Sequence, residues 1–275
     1  MIIKKKIMKN KLNAIISQVI SVSPNMKIFR VVPDGWELPD FKAGQFVALF
    51  LPASSARYVD ATDEFKQLKP DKLIRRAYSV SSSSKNKEYL EFYISIVRSG
   101  ALTPRLFNLN IGDKIGVGKK FTGMFTLDKV DKSKNIVLIA TGTGVAPYIS
   151  MLRSDAMNKN RKITVIHGAS NSWDLGYRSE LELLENISSN VKYIPTIIDA
   201  EKEKAKWNGE RRFLQDIWKD KVFLKCLNYI PTPENTHIFL CGNPNMIENM
   251  SEILIYENFL IHKKNQNGQI HIEKF

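Results

Sequence analysis

Cysteine is nearly missing from this chain of 275 residues: Cys226 and Cys241 stand alone, without CxxC spacing. That excludes a disulfide framework and a thiolate zinc site, and it fits a reducing compartment, so a cytoplasmic setting is expected. Long apolar runs are also lacking, and no stretch approaches a membrane span. The amino end, Met1-Ile-Ile-Lys-Lys-Lys-Ile-Met-Lys-Asn10, has the charge of a signal peptide's first region but no apolar segment behind it, so no export is expected. Met1 and Met8 both stay open as the start. Histidine is sparse too: His167, His237, His262 and His271 show no ligand spacing with one another, so no metal is expected and most of them read as ordinary strand or loop residues. No internal repeat or low-complexity segment is present.

Acidic residues are in deficit. Lys and Arg number 41 against 28 Asp and Glu, a formal net charge of +13. Such a field attracts anions, whether acidic proteins, nucleotides or nucleic acid. The lysines are spread along the chain, and no helix-turn-helix, zinc-finger or RNA-binding signature accompanies them, so nucleic acid is not the expected partner. A hydrophobic content of 43% says globular, and the length suits two domains that each bury a core.

The two halves differ in pattern. Leu12 to Ser23, Met26 to Val32, Gln45 to Leu51, Arg76 to Val80 and Tyr89 to Arg98 are short segments rich in β-branched and aromatic residues, punctuated by Pro, Gly, Asn and Asp. They predict an antiparallel β-barrel. Between Pro52 and Ile74 lies a polar stretch without periodicity, expected to be a long surface loop. In the second half, strands predicted at Asn135 to Ala140, Lys162 to Gly168, Val191 to Ile198 and His237 to Cys241 alternate with helical patterns after Pro147, at Tyr177 to Glu185, Phe213 to Leu224 and Asn245 to Asn258. That order predicts an α/β domain with a doubly wound parallel sheet. The charged stretch Asp128 to Lys134 sets the expected boundary, giving domains 1–130 and 131–275.

Ile136-Val-Leu-Ile-Ala-Thr-Gly-Thr-Gly-Val-Ala-Pro147 is the most informative motif. Its apolar residues suggest a buried parallel strand. Gly142 and Gly144 let the backbone approach a bulky anion, and Pro147 suits a first helical turn, whose N–H groups favour phosphate. An ordinary tight strand-to-helix turn is the alternative. In the first half, Arg76-Ala-Tyr-Ser79 places a cation, an aromatic ring and a hydroxyl on one strand. A flavin asks for these types: a plane to stack on, a cation for its pyrophosphate and small donors at the ring edge. A surface arginine beside a core tyrosine is the alternative there.

Taken together with Leu240-Cys-Gly-Asn-Pro244, these motifs resemble the bacterial ferredoxin/flavodoxin-NADP reductase family. Leu90-Glu-Phe-Tyr-Ile-Ser-Ile-Val-Arg-Ser-Gly-Ala-Leu-Thr-Pro-Arg-Leu106 and Ile111-Gly-Asp-Lys-Ile115 fit the same pattern, and the resemblance runs from about Phe41 to Phe275. It implies FAD on the barrel: Arg76 at the pyrophosphate, Tyr78 stacked on the isoalloxazine, Ser79 near the flavin N5, with Ala77 and Val97 alongside. The turn of Gly100, Leu102 and Thr103 would take the rest of the pyrophosphate. At the carboxyl end, His271-Ile-Glu-Lys-Phe275 is similar to the family's acidic and aromatic tail, so Glu273 would approach the active site and Phe275 would cover part of the FAD. The nicotinamide dinucleotide would lie on Thr141, Gly142, Thr143, Gly144 and Pro147, and on Cys241, Gly242 and Asn243. Cys241 would set the nicotinamide position rather than act as a nucleophile, while Cys226 reads as a packing residue.

One departure bears on the cofactor. Family members that prefer NADPH hold its 2′-phosphate with arginines, and here two of those positions are Ser170 and Ala200, with Asp199 beside the second, while Arg212 keeps the third. An acidic residue at a strand end suits a free ribose hydroxyl and repels a phosphate. Lys202, Lys204, Lys206 and Arg211 stand nearby to compensate. NADP(H) is therefore the family expectation, with NAD(H) open. The implied activity is hydride exchange between NADPH and FAD coupled to one-electron transfer with ferredoxin or flavodoxin, acidic carriers suited to a basic surface. Ser79, Cys241 and Glu273 would be the catalytic residues. Two other readings stay open: an NADH-dependent flavin or oxygenase-component reductase, and a non-catalytic FAD-binding sensor.

Overall fold

The computed structural model describes residues 12–64, 68–156, 161–227 and 229–274. Met1 to Asn10, Phe275 and the side chain of Cys226, all singled out from sequence, lie outside that description, as do 65–67 of the Pro52 to Ile74 stretch. The chain divides into two compact units between Met124 and Phe125. Among the described residues no helix is long and apolar enough to cross a membrane.

The first unit is a six-stranded antiparallel sheet of β1 (Ala14–Ser23), β2 (Met26–Pro33), β3 (Phe46–Pro52), β4 (Leu73–Ser79), β5 (Leu90–Ser95) and β6 (Lys114–Val117). Its order is β4-β3-β6-β1-β2-β5, so β4 and β5 would be open edges. The segment after β4 removes that liability. Ser81 donates its amide to the Glu91 carbonyl at 2.8 Å, and Glu91 donates its amide to the Ser82 hydroxyl at 3.1 Å. The Glu91 carboxylate is buried and meets Arg30 at 2.7 Å, so the charge inside the seam is paired. Alternating side chains of these strands then face one core, with Phe29, Leu49 and Phe92 fully buried together with Phe107 of α1 (Thr103–Phe107). Each such side chain contributes about 1.5–3 kcal/mol of burial.

In the second unit β7 (Asn135–Thr141), β8 (Ile163–Ala169), β9 (Val191–Ile197), β10 (Thr236–Gly242) and β11 (Ile270–Lys274) form a parallel sheet in the order β11-β10-β7-β8-β9. The crossovers carry α2 (Ala146–Met151), α3 (Arg178–Ile187), α4 (Leu214–Lys219) and α5 (Pro244–Tyr256). The chain winds outward from β7 to β9 and then returns to β10 on the other side of β7. The direction of winding therefore reverses between β7 and β10. Phe125 belongs to this unit by its packing, with its ring 5.2 Å from that of Phe239 and 6.0 Å from that of Tyr148.

Both predicted classes of architecture are present, with local differences. β6 and β11 were not expected as strands: β6 is four residues long and contains Gly116, and the alternation of β11, Ile270-His271-Ile272-Glu273, spans only four residues, so neither run stands out by length. The helix expected over Phe213 to Leu224 breaks at Lys221, which takes a left-handed φ of 54° and is followed by a 3-10 turn, Val222–Cys226. The break lets Phe223 stack on Trp218 at 4.6 Å and brings Lys221 to Glu257. The histidines read as unrelated are not scattered. Strand pairing of β10 with β11 sets His237 Nδ1 3.0 Å from His271 Nε2, and the His262 ring lies 4.7 Å from that of His271.

Burial lowers the pKa of His167 to about 4 and also lowers those of His237 and His271, the latter two aided by the neighbouring histidine charges. A histidine whose folded pKa lies below its unfolded value of ~6.5 binds protons first in the unfolded chain. Stability should therefore fall as the pH drops from about 6.5 towards 4. Thermal melts followed by circular dichroism at pH 7.5 and pH 5.0 check this: the lower pH should give the lower Tm, and His271→Phe should shrink the difference.

Candidate active site

In the second unit the two glycine motifs meet where the sheet reverses. β7 ends at Thr141 and β10 at Gly242, and these strands are hydrogen-bonded neighbours. The Thr141 hydroxyl accepts the Asn243 amide at 2.7 Å. A 3-10 turn, Gly142–Val145, follows β7 and leads into α2, with Pro147 in the first helical turn. A Cβ on Gly144 would lie 2.5 Å from the Cys241 carbonyl oxygen, and one on Gly242, whose φ is 126°, would lie 2.2 Å from the Thr141 hydroxyl. Only glycine permits this approach, because such distances are far inside van der Waals contact. Asn243 caps α5, its side chain accepting the Asn245 amide at 2.8 Å. The crevice at the carboxyl ends of strands flanking such a reversal is where open α/β sheets bind ligands.

Two residues that sequence reading passed over hold this junction. His167 Nε2 is 2.8 Å from the Gly142 carbonyl, and since burial keeps the ring neutral, Nε2 carries the proton and donates. Tyr148 is fully buried, with its hydroxyl 2.9 Å from the Ile139 carbonyl and 2.7 Å from that of Phe239, bridging β7 and β10. Burial raises its pKa well above the ordinary value, so it stays a donor. Neither carries a motif of its own. Position alone defines their roles.

Cys241 pairs in register with Ala140 on one side and Glu273 on the other, which brings two of the predicted catalytic residues side by side. Its thiol is buried and pushed up in pKa by burial and then by Glu273. It is held as a thiol, which suits a positioning residue and not a nucleophile. Thr143 and Glu273 are half-buried.

Ser170 and Asp199, expected to bear on the choice between NADPH and NADH, follow the ends of β8 and β9. Ser170 is exposed, and its carbonyl accepts the Asp199 amide at 2.9 Å. Two of the cations there, Lys202 and Arg212, are paired within the chain. Lys202 meets the Asp199 carboxylate at 2.7 Å, and Arg212 lies between Glu210 at 3.2 Å and Asp220 at 2.9 Å. The Glu203 carboxylate accepts both the amide and the hydroxyl of Ser172 at 2.7 Å.

In the first unit, Arg76, Ala77, Tyr78 and Ser79 lie on β4, which pairs with β3 along its length. Arg76 and Ala77 are exposed, Tyr78 is half-buried against the barrel core, and Ser79 is buried. The Arg76 guanidinium donates to the Arg75 carbonyl at 2.7 Å. Burial raises the Tyr78 pKa, so the phenol keeps its proton. The turn from Val97 to Thr103 is tightly made: the Thr103 hydroxyl accepts the Val97 amide at 3.0 Å and donates to its carbonyl at 3.1 Å. That hydroxyl, expected to face a pyrophosphate, thus closes its own turn. Leu102 is buried in the core and Val97 is exposed.

Residues 13–121 match the oxidoreductase FAD-binding domain and residues 138–252 the oxidoreductase NAD-binding domain. The chain is 36% identical, over 76% of its length and 83% of the relative's, to a flavodoxin/ferredoxin–NADP reductase of Buchnera aphidicola subsp. Baizongia pistaciae. The chain belongs to the flavodoxin/ferredoxin–NADP reductase family. The Escherichia coli (strain K12) member is 29% identical over 75% of this chain and 76% of its own. A ferredoxin NADP+ reductase from Neisseria gonorrhoeae, solved with bound FAD and NADP, superposes with a TM-score of 0.79 at 25% identity, covering 95% of this chain and 97% of that one. The protein is an FAD-dependent NAD(P)H oxidoreductase, and its residues fit both groups. β4 offers an exposed guanidinium and a protonated phenol, and the cradle a Gly144 Cβ would fill is open at the sheet reversal.

Gly144→Ala should drive the two turns apart. Its expected effect is a loss of NADPH affinity of tenfold or more, equivalent to about 1.4 kcal/mol, with the FAD content of the purified protein unchanged. Isothermal titration with NADP+ and the flavin absorbance of the same preparation check both halves.

Proposed function

We propose that this protein is a ferredoxin(flavodoxin)–NADP reductase that exchanges a hydride between NADPH and FAD and single electrons with ferredoxin or flavodoxin. The interlocked turns at Thr141 and Asn243 carry this reading, because they offer a dinucleotide cradle in a chain that also bears the flavin-type strand Arg76 to Ser79. When bound, FAD supplies the redox chemistry, taking a two-electron hydride on one side and exchanging single electrons on the other.

The residues orient and bias that chemistry. Arg76 would neutralise pyrophosphate charge, Tyr78 would offer its ring face, and Ser79 would supply a hydrogen bond near the reacting edge. Thr141, Gly142, Thr143, Gly144 and Pro147 would hold the dinucleotide with Gly242 and Asn243. Cys241 would fill space beside the nicotinamide without ionising, and Glu273 beside it would hold a carboxylate near the reacting atoms. A net charge of +13 would speed encounter with an acidic carrier, and a cytoplasmic setting suits the scarcity of cysteine.

A specific observation favours a second reading, with NADH as donor. Asp199 at the end of β9, and the pairing of Lys202 and Arg212 with carboxylates, leave less positive charge for a 2′-phosphate than separate arginines would. Anaerobic titration of the yellow protein with NADPH and NADH in parallel, following bleaching of the flavin absorbance, decides between them. Faster bleaching by NADPH supports the reductase reading, a preference for NADH moves the protein to the second, and a protein that never binds FAD excludes both. Asp199→Asn removes one like charge near the phosphate, and should raise the NADPH/NADH ratio of kcat/KM by about fivefold or more.

A further inference from the structure

The polar stretch between β3 and β4 is a loop, as expected, and from Ala53 to Glu64 it is tied to a single place in the barrel, the segment from Arg98 to Arg105. Tyr58 donates its amide to the Pro104 carbonyl at 2.9 Å, and Thr62 donates to that of Arg98 at 3.1 Å. Arg57 reaches the carbonyls of Gly100 at 3.0 Å and Arg98 at 3.2 Å, and also that of Thr62 within the loop at 2.7 Å. Arg105, whose side chain is 3% exposed, donates to the carbonyls of Ala53 at 2.7 Å and Ala101 at 2.6 Å. Glu64 joins the two arginines, accepting both Arg105 terminal nitrogens at 2.8 and 2.7 Å and lying 3.1 Å from Arg57. Arg105 holds the Glu64 carboxyl below its usual range, so the bridge is charged at neutral pH.

These bonds have a directional consequence. The carbonyl of one residue and the amide of the next point opposite ways across a trans peptide, and no cis peptide is present among the described residues. Arg57 fixes the Gly100 carbonyl, which turns the Ala101 amide away from the loop. Arg105 fixes the Ala101 carbonyl, which turns the Leu102 amide the same way. The brace therefore orients consecutive amides of the turn that the family pattern gives to the FAD pyrophosphate.

We propose that Arg57, Glu64 and Arg105 are positioning residues for FAD, holding the Gly100 to Leu102 turn so that its amides meet the pyrophosphate. This rests on the turn being the pyrophosphate site. FMN keeps one phosphate but lacks the second and the adenosine, so the brace should matter more for FAD than for FMN. The test titrates the full-length chain, freed of flavin, with FAD and with FMN, reading Kd from flavin fluorescence for the wild type, Arg57→Ala and Arg57→Lys. The wild type should bind FAD more tightly than FMN. Arg57→Ala should weaken FAD by about tenfold and leave FMN within twofold, and Arg57→Lys should recover part of the loss because one donor to Gly100 can be restored. An unchanged FAD/FMN ratio in Arg57→Ala, or equal weakening of both flavins, overturns the brace alone. A wild type without preference for FAD overturns the pyrophosphate reading of the turn and the brace with it. Should Arg57→Ala fail to fold, Glu64→Gln, which leaves the bonds of Arg105 to Ala53 and Ala101, is measured against the same criteria.

Discussion

The dinucleotide half depends on one close approach of backbone to backbone. Gly144 lies where any Cβ would strike the Cys241 carbonyl, and Gly242 lies where one would strike the Thr141 hydroxyl. Without side chains there, the loops after β7 and β10 close on each other through the bond between Asn243 and Thr141. The parallel order of the sheet makes this possible, since β10 returns beside β7 after the chain has wound out to β9. Tyr148 and His167 then hold the junction from beneath with neutral groups, and burial keeps both uncharged.

The flavin half solves a related problem with charge. A six-stranded sheet with short edges closes through Ser81, Ser82 and Glu91, and the buried carboxylate this requires is matched by Arg30. The long connection between β3 and β4 does the same around Glu64, which sits between Arg57 and the buried Arg105. Buried ion pairs add little net stability, but removing one partner is costly. Such pairs therefore suit places where geometry must be held rather than merely stabilised.

The charges near Asp199 show how pairing changes meaning. Counted along the chain, Lys202, Lys204, Lys206, Arg211 and Arg212 form a basic stretch that looks ready for a phosphate. In space Asp199, Glu210 and Asp220 each meet one of those cations, so the field a ligand feels is weaker than the residue count suggests.

The amino-acid order alone determined the two classes of sheet, their sequence along the chain, the flavin-type strand at Arg76 to Ser79 and the two glycine turns. Each of these is local: strand period, turn chemistry and glycine placement are written within a few residues. The tertiary structure decided what depends on partners distant in sequence. β6 and β11 are too short to stand out by their pattern, and neighbouring strands pair with them. The pairing of Cys241 with Glu273, the meeting of His237 with His271, and the tie from Arg57 and Glu64 to the turn at Gly100 follow from strand register and loop path. No spacing in the chain encodes them, because hydrogen bonds and ion pairs act over a few ångströms of space, and only the folded path sets which residues come that close.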